Sequence, residues 1–285
     1  MSIVITAATG QLGNLVVQNL LKRGAKAGDI VATGRSLDRL EALRAQGVRT
    51  AVLDYNNPAD GVIKAGDTVL LISGSEVGQR IAQHGNVVAK AKAAGAARIV
   101  YTSVVGADNT SLLVAPEHAA TEEAIKDSGL TYTFLRNGWY HDNYQPAFEQ
   151  ARQAGVVVSS AKDGRVSSAS RADYAEAAAV ALMGDGHDNA TYELGGDTAW
   201  TMRDLVDTFA EVLGQPVSLR EVTTEEHAAV LREAGLDDGT IGFITTLDRN
   251  TADDTLLVTS GDLSRLMGRP TTPIADAVRS WARIA

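Results

Sequence analysis

The residues with the clearest chemical potential lie just inside the N-terminus. Thr6-Ala7-Ala8-Thr9-Gly10-Gln11-Leu12-Gly13 follows the apolar run Ile3–Thr6 and opens a stretch in which Leu12, Val16 and Leu20 recur at helical spacing. Strand, glycine turn and helix in that order build a phosphate cradle, because the free amides and partial positive charge of a helix N-terminus face the anion. Gly10 would admit the backbone to a pyrophosphate, and Gly13 would let the helix pack tightly on the strand. Ala7 stands where a first glycine belongs and is tolerable if its φ stays negative, since alanine lacks only the positive-φ freedom of glycine. Ala8, Thr9, Gly10, Gln11, Leu12 and Gly13 are therefore the expected cradle. The plainer alternative is an ordinary strand–turn–helix with glycine punctuation.

The next run favours the cradle. An NAD site places an acidic residue on the ribose 2′-hydroxyl about 20 residues after the loop. Here that run ends Ala32-Thr33-Gly34-Arg35-Ser36. A guanidinium fork and a neighbouring hydroxyl suit a 2′-phosphate, so Arg35, with Ser36, predicts NADPH over NADH. Polar and aromatic clusters close other apolar runs: Ser73-Gly74-Ser75, Thr102-Ser103 and Asn137 to Tyr140. In open α/β sheets ligands sit beyond the carboxyl ends of the strands. Trp139 and Tyr140 offer faces on which a flat ring such as a quinone can stack, although aromatics there equally suit lobe packing.

The elements that must position these groups follow from the hydrophobic pattern. Runs at Ile3–Thr6, Ile30–Thr33, Thr50–Leu53, Thr68–Ile72, Arg98–Thr102 and Tyr132–Leu135 alternate with helix-like segments such as Leu12–Arg23 and Val87–Ala94. Short apolar strands alternating with helices imply a doubly wound parallel α/β sheet, a Rossmann architecture. After about residue 150 the rhythm loosens. Gly155–Ser160 and Thr191–Leu194 read as strands; Arg171–Met183, Met202–Leu213, Glu225–Ala234 and Ile274–Ile284 read as helices; Asp253–Val258 reads as strand or loop. Asp173 and Thr201 are the expected helix starts. The division expected is a nucleotide-binding Rossmann domain over residues 1–150 and a smaller α+β, substrate-side lobe over 151–285, parts of which return to the sheet.

Bulk properties exclude several classes. The 285 residues, 45% hydrophobic, suffice for one large domain or a domain plus lobe. No stretch approaches the ~20 apolar residues of a membrane span, and the N-terminus lacks the basic region of a signal peptide. The absence of cysteine excludes disulfides and thiolate chemistry and fits the cytoplasm. A net charge of −9 without a basic stripe argues against nucleic acid and anionic membranes. The five histidines show no metal-ligand spacing, and Glu225-Glu226-His227 reads as a solvated face, so no metal is expected. Trp200 and Trp281 read as packing residues.

Taken together, "AATGQLG", "LLISGSEVGQR", "YTSVVGAD", "LRNGWYHDNY", "SRADYAEAA" and "YELGGDTAWT" resemble the NmrA-like branch of the atypical short-chain dehydrogenases/reductases. Within that branch the resemblance is to the type 2 NAD(P)H:quinone oxidoreductases, with the triphenylmethane-dye reductases next. It covers nearly the whole chain in order. It implies an NADPH-binding Rossmann domain, a small C-terminal lobe, and hydride transfer to a quinone-like acceptor in the cleft between them. By that resemblance Thr9 to Gly13 hold the pyrophosphate and Arg35 the 2′-phosphate. Ser73, Gly74, Ser75, Val77, Gly78, Gln79 and Thr102 run along the cofactor. Asn137, Trp139, Tyr140, Asn143 and Tyr144 wall the nicotinamide and acceptor.

Most short-chain dehydrogenases carry Tyr-x-x-x-Lys on the helix before the sixth strand. Here the aligned positions hold Val114 and His118. The usual acid is missing, which argues against alcohol or ketone chemistry, where an alkoxide needs a proton. Hydride addition to a quinone leaves a weakly basic hydroquinone anion that takes its proton from water. No catalytic residue is therefore assigned; His118 and Tyr140 are the candidates, His118 as a proton source with an ordinary pKa of about 6.5, or else as a mere cofactor contact. Two alternatives stand beside the quinone reductase: a non-catalytic NADP-binding redox sensor, and a reductase of another electron-poor substrate such as a dye, imine or activated alkene. Oligomeric state is open, a homodimer included.

Overall fold

The computed structural model describes residues 1–284. The β-branched runs of the first half become β1 (Ile3–Ile5), β2 (Ile30–Gly34), β3 (Arg49–Val52), β4 (Thr68–Ile72), β5 (Arg98–Val104) and β6 (Thr131–Asn137). Between them lie α1 (Gln11–Lys22), α2 (Glu41–Arg44), α3 (Arg80–Ala94) and α4 (Ala115–Ser128). The remainder forms α5 (Gln145–Ala154), β7 (Val156–Ser159), β8 (Arg165–Val166), α6 (Arg171–Met183), β9 (Ala190–Leu194), β10 (Trp200–Thr201), α7 (Met202–Leu213), β11 (Ser218–Glu221), α8 (Thr224–Glu233), α9 (Asp238–Ala252), α10 (Asp262–Met267) and α11 (Ile274–Ile284).

Seven strands pair in parallel in the order β3-β2-β1-β4-β5-β6-β9. This is the doubly wound Rossmann sheet expected from the alternating pattern. Strand order reverses between β1 and β4, so the loops leaving those strands diverge and open a crevice at their carboxyl ends. On one face Val16 and Leu20 of α1 and Ala178 of α6 pack with Ile5, Leu70 and Val100. On the other, Val87 and Ala91 of α3 and Ile125 of α4 pack with Val69, Leu71 and Phe134. The small residues Ala175, Ala178, Ala179 and Ala181 of α6, all buried, allow it to lie close against α1.

After residue 150 the chain divides its loyalties. α6 and β9 join the sheet layers, while a separate core of Phe148, Val157, Trp200, Leu205, Phe209 and Trp281 holds a smaller lobe. Two short sheets, β8 with β10 and β7 with β11, sit there. Asp253–Val258 is loop. Thr201 caps α7 in a reciprocal capping box with Asp204. The start of α6 differs from expectation: Ser170 is the cap and accepts from the Asp173 amide, leaving the Asp173 carboxylate to bind Arg269 and the Thr272 amide. α9 and α10 are not evident in the sequence pattern. No helix of the described residues is long and apolar enough to cross a membrane.

Candidate active site

The turn after β1 has the expected place and a different backbone. Ala7 adopts φ +47°, in the left-handed region, not the negative φ anticipated. The turn needs that conformation because the Ala7 carbonyl must swing round to accept the Gly10 amide at 2.9 Å. Alanine there costs about 1–2 kcal/mol of local strain, which the surrounding packing overrides. Gly10 caps α1 without a side-chain hydrogen bond, so the first-turn amides remain free for an anion. Gly13 has the packing role expected: a Cβ would lie 2.6 Å from the Ala7 oxygen and 2.7 Å from the Ala8 Cα. Gly34 plays a similar part that sequence reasoning missed, since a Cβ there would sit 2.5 Å from the Thr9 methyl.

Around this turn lies a cavity of about 500 Å³, lined by Thr9 to Gly13, Arg35, Ser73 to Ser75, Tyr140 and Arg171. Arg35 projects from the end of β2 with its side chain 72% exposed, held among the described residues only by Glu76 at 3.4 Å. So loose and solvated a pair binds weakly and leaves the guanidinium free to turn to a phosphate. Ser36 is not among the lining residues. Asp54 and Tyr55, just beyond β3, also line the cavity, and the Tyr55 hydroxyl donates to the Ile72 carbonyl across the strand ends.

A second cavity of about 450 Å³ adjoins the first and shares Ser73, Ser75, Arg80, Tyr140 and Arg171 with it. Its walls are largely apolar: Val77, Leu112, Leu113, Val114, Trp139, Phe243 and Leu247. His118, Asn137 and Asn143 also face it, so both aligned positions of the absent Tyr-x-x-x-Lys pair, Val114 and His118, line this space. Five buried side-chain atoms among the described residues have no hydrogen-bond partner: Arg80 Nη1, Ser103 Oγ, Glu117 Oε2, Asn137 Oδ1 and Trp139 Nε1. Arg80 Nη1 and Glu117 Oε2 form an ion pair with each other at 3.5 Å, and the three left without any partner belong to residues lining this cavity. Unsatisfied buried polar atoms cost about 1–3 kcal/mol each, and their convergence on one space marks a place built for a polar ligand or water.

The titratable candidates are not free acids. Burial, then the positive charge of Arg80, lowers the His118 pKa to about 3, so it is neutral at physiological pH and is no proton reservoir of pKa 6.5. Burial raises the Tyr140 phenol. Arg171 lies 4.9 Å from the Tyr140 ring centre, pairs with Asp142 at 2.7 Å and bonds to Gln11, so it ties the lobe side to the glycine-loop helix. Arg80 and Arg171 fall within the motifs LLISGSEVGQR and SRADYAEAA, yet neither is singled out there as a site residue.

Several anticipated contacts fall outside. Thr102 is 2% exposed; its hydroxyl accepts the Ser73 amide at 2.9 Å and shapes the strand end without facing a cavity. Tyr144 lies under Trp200, ring centres 4.7 Å apart, in the lobe core. Ala8, buried behind the turn, lines neither cavity, and nor do Gly78 and Gln79. The Gly78 amide donates to Glu117 Oε1 at 2.8 Å. His227, anticipated on a solvated face, is buried against Asp248 at 3.0 Å, because α8 packs on α9. Among the described residues no three acidic or imidazole side chains converge as a metal site.

Free first-turn amides, glycines at close approaches and a loose arginine at the end of β2 fit a dinucleotide with a 2′-phosphate. Comparison with known proteins agrees. Residues 7–184 match the family model described as NAD(P)H-binding. Quinone oxidoreductase 2 of Escherichia coli is 42% identical over 278 residues, 97% of each chain. The crystal structure of that NADPH-dependent enzyme with NADPH superposes with a TM-score of 0.94 over 98% of this chain and 99% of that one. Triphenylmethane reductase of Citrobacter sp. is 34% identical, with a TM-score of 0.94 over 99% and 100% of the chains. An NmrA-like family domain-containing oxidoreductase of Aspergillus flavus is 28% identical over 98% of this chain and 94% of its own. With fold, phosphate cradle and sequence in agreement along its whole length, the chain belongs to the NmrA-like NAD(P)H-binding oxidoreductases.

Proposed function

We propose that this chain is an NADPH-dependent reductase that delivers hydride to a quinone-like acceptor. The observation that carries the proposal is the pair of adjoining cavities. One is ringed by backbone amides and Arg35; the other is apolar, holds the orphan polar atoms and lacks a Tyr–Lys proton pair. NADPH supplies a hydride when bound. Residues 1–150 hold it: the first-turn amides of α1 take the pyrophosphate, Arg35 the 2′-phosphate, and Ser73 to Ser75 flank the path between the cavities. The lobe from residue 151 roofs the acceptor through Phe243 and Leu247. Tyr140, Trp139 and Val77 give a flat ring apolar faces, and Trp139 Nε1 offers a carbonyl oxygen of that ring a donor. The main contribution of the protein is orientation of two flat rings in a space from which water is largely displaced.

The test is oxidation of NADPH, against NADH, with a benzoquinone, a naphthoquinone, a triarylmethane dye and a simple ketone. The expected result is rapid turnover of the quinones, faster with NADPH, and none of the ketone. Tight NADPH binding without turnover of any acceptor would replace this reading with a redox sensor.

A further inference from the structure

Behind the acceptor cavity, α3, β5 and α4 bring His84, Tyr101, Thr121 and His118 into one buried cluster. Their hydrogen bonds can be followed from an unambiguous donor. The Gly74 amide donates to His84 Nε2 at 3.0 Å, so that nitrogen is bare and neutral His84 carries its proton on Nδ1. Nδ1–H donates to Thr121 Oγ1 at 3.0 Å, and the Thr121 hydroxyl passes its own hydrogen to the Glu117 carbonyl at 2.8 Å. The Tyr101 hydroxyl lies 2.8 Å from His118 Nδ1 and 3.5 Å from His84 Nδ1. The His84 nitrogen already bears hydrogen and cannot accept. The buried Tyr101 hydroxyl therefore donates to His118 Nδ1, the nearest acceptor open to it. The proton of His118 is left on Nε2, which has no hydrogen-bond partner among the described residues, on a ring that lines the acceptor cavity.

We propose that His118 is a fixed, neutral hydrogen-bond donor, through Nε2–H, to the acceptor oxygen on which negative charge develops, and that Tyr101 and His84 are positioning residues that set its tautomer. The inference rests on the quinone-reductase reading. In the reaction NADPH is oxidised to NADP⁺, the quinone gains one hydrogen nucleus and two electrons, and the product is a hydroquinone monoanion. His118 keeps its proton while its N–H stabilises that anion; water supplies the last proton. A donor already aimed at the place where charge appears needs no reorganisation during the step. Burial and the adjacent Arg80 disfavour an imidazolium here, so the group acts by donating a hydrogen bond and not by losing a proton.

The first test is long-range ¹H–¹⁵N correlation on the full-length protein labelled at histidine, with His118 assigned by its absence in His118→Gln. The expected result is His118 as the Nε2–H tautomer and His84 as the Nδ1–H tautomer, both unchanged from pH 8 to pH 5. An Nδ1–H tautomer at His118, or titration near pH 6.5, overturns the inference. Kinetics provide the second test. Removing one such donor should lower kcat about 100- to 1000-fold in His118→Phe, with KM for NADPH unmoved and partial recovery in His118→Gln, which keeps an N–H. Tyr101→Phe should mix the His118 tautomers and lower kcat several-fold. Bound 4-nitrophenolate should weaken about tenfold in His118→Phe while the neutral methyl ether binds as before. Absence of quinone turnover in the wild type overturns the reading on which this rests. Equal turnover in wild type and His118→Phe overturns the inference alone.

Discussion

The two cavities share a wall and are built from opposite materials. The first is a backbone site, walled by glycines, helix amides and one loosely held arginine. The second is a side-chain site, gathered from the loops after β4 and β6, the N-terminal part of α4 and the distant α9, with apolar walls and orphan polar atoms. Backbone geometry tolerates almost no change at a few positions and is indifferent elsewhere. A side-chain cavity tolerates graded change nearly everywhere. This contrast explains how one scaffold can keep its hydride source while its relatives are named for quinones and for triphenylmethane dyes.

Substitutions can break that contrast, beginning with the largest effect. Gly13→Ala places a methyl carbon against two backbone atoms at 2.6 and 2.7 Å, and neither can give way cheaply. The expected cost is about 3 kcal/mol of stability with NADPH binding weakened at least a hundredfold, as for severe overpacking. Urea unfolding and a fluorescence titration read both. Retention of wild-type affinity would mean that the cradle is not the binding element.

Protonation probes the back wall of the second cavity. Burial, then Arg80, depresses His84 to about 4, and His118 falls to about 3 for the same leading reason. Depressed pKa values mean that the folded state holds both rings neutral. Their contribution is complete above the unfolded pKa of about 6.5 and is lost as pH falls through the range down to 4 and then 3, on the order of 3 kcal/mol for His84. Urea unfolding at pH 8 and pH 4.5 should show wild type losing more stability on acidification than His84→Gln. Equal losses would show that His84 is solvated in the folded protein.

Arg35→Asp sharpens the comparison from the cofactor side. A charge-assisted bond to phosphate is worth about 1.5–3 kcal/mol, so the preference for NADPH over NADH should fall roughly 10- to 100-fold, measured as the ratio of kcat/KM. KM for the quinone should stay put, and an unchanged cofactor ratio would remove Arg35 from the site. Phe243→Ser makes the complementary change. It removes a half-exposed ring from the cavity rim, worth about 1 kcal/mol of acceptor binding. Quinone KM should rise about fivefold with NADPH affinity constant; movement of both would mean that the cavities act as one.

The parts of the site legible in the chain are those whose chemistry is local. Gly10 and Gly13 announce themselves because a turn into a helix needs them at that spacing, and Arg35 because it follows a strand at a set distance. Ala7 shows the limit, since residue type alone did not reveal that the turn would force alanine to φ +47°. Asn137, Trp139 and Tyr140 were visible as a strand-end cluster. Tyr144, six residues further, looked alike and is a packing residue under Trp200. α9 escaped notice because DGTIGFITTLDRNTA mixes glycine, threonine and aspartate, poor helix formers with little amphipathic order. It forms because Asp237 caps it, accepting the Thr240 amide, and α8 packs along it.

The order of apolar runs, the glycine spacing and the family motifs already determined a doubly wound NAD(P)H-binding sheet, since periodicity and turn chemistry act between near neighbours. Only the tertiary structure decided which polar atoms were left unpaired, which arginines reached the cleft and which nitrogen of His118 carries the proton. Those properties arise where α3, β5, α4 and the loop after β4 meet, and a hydrogen-bond direction is a property of the whole circuit, set by the two bonds that cannot be reversed, from the Gly74 amide to His84 and from the Thr121 hydroxyl to the Glu117 carbonyl.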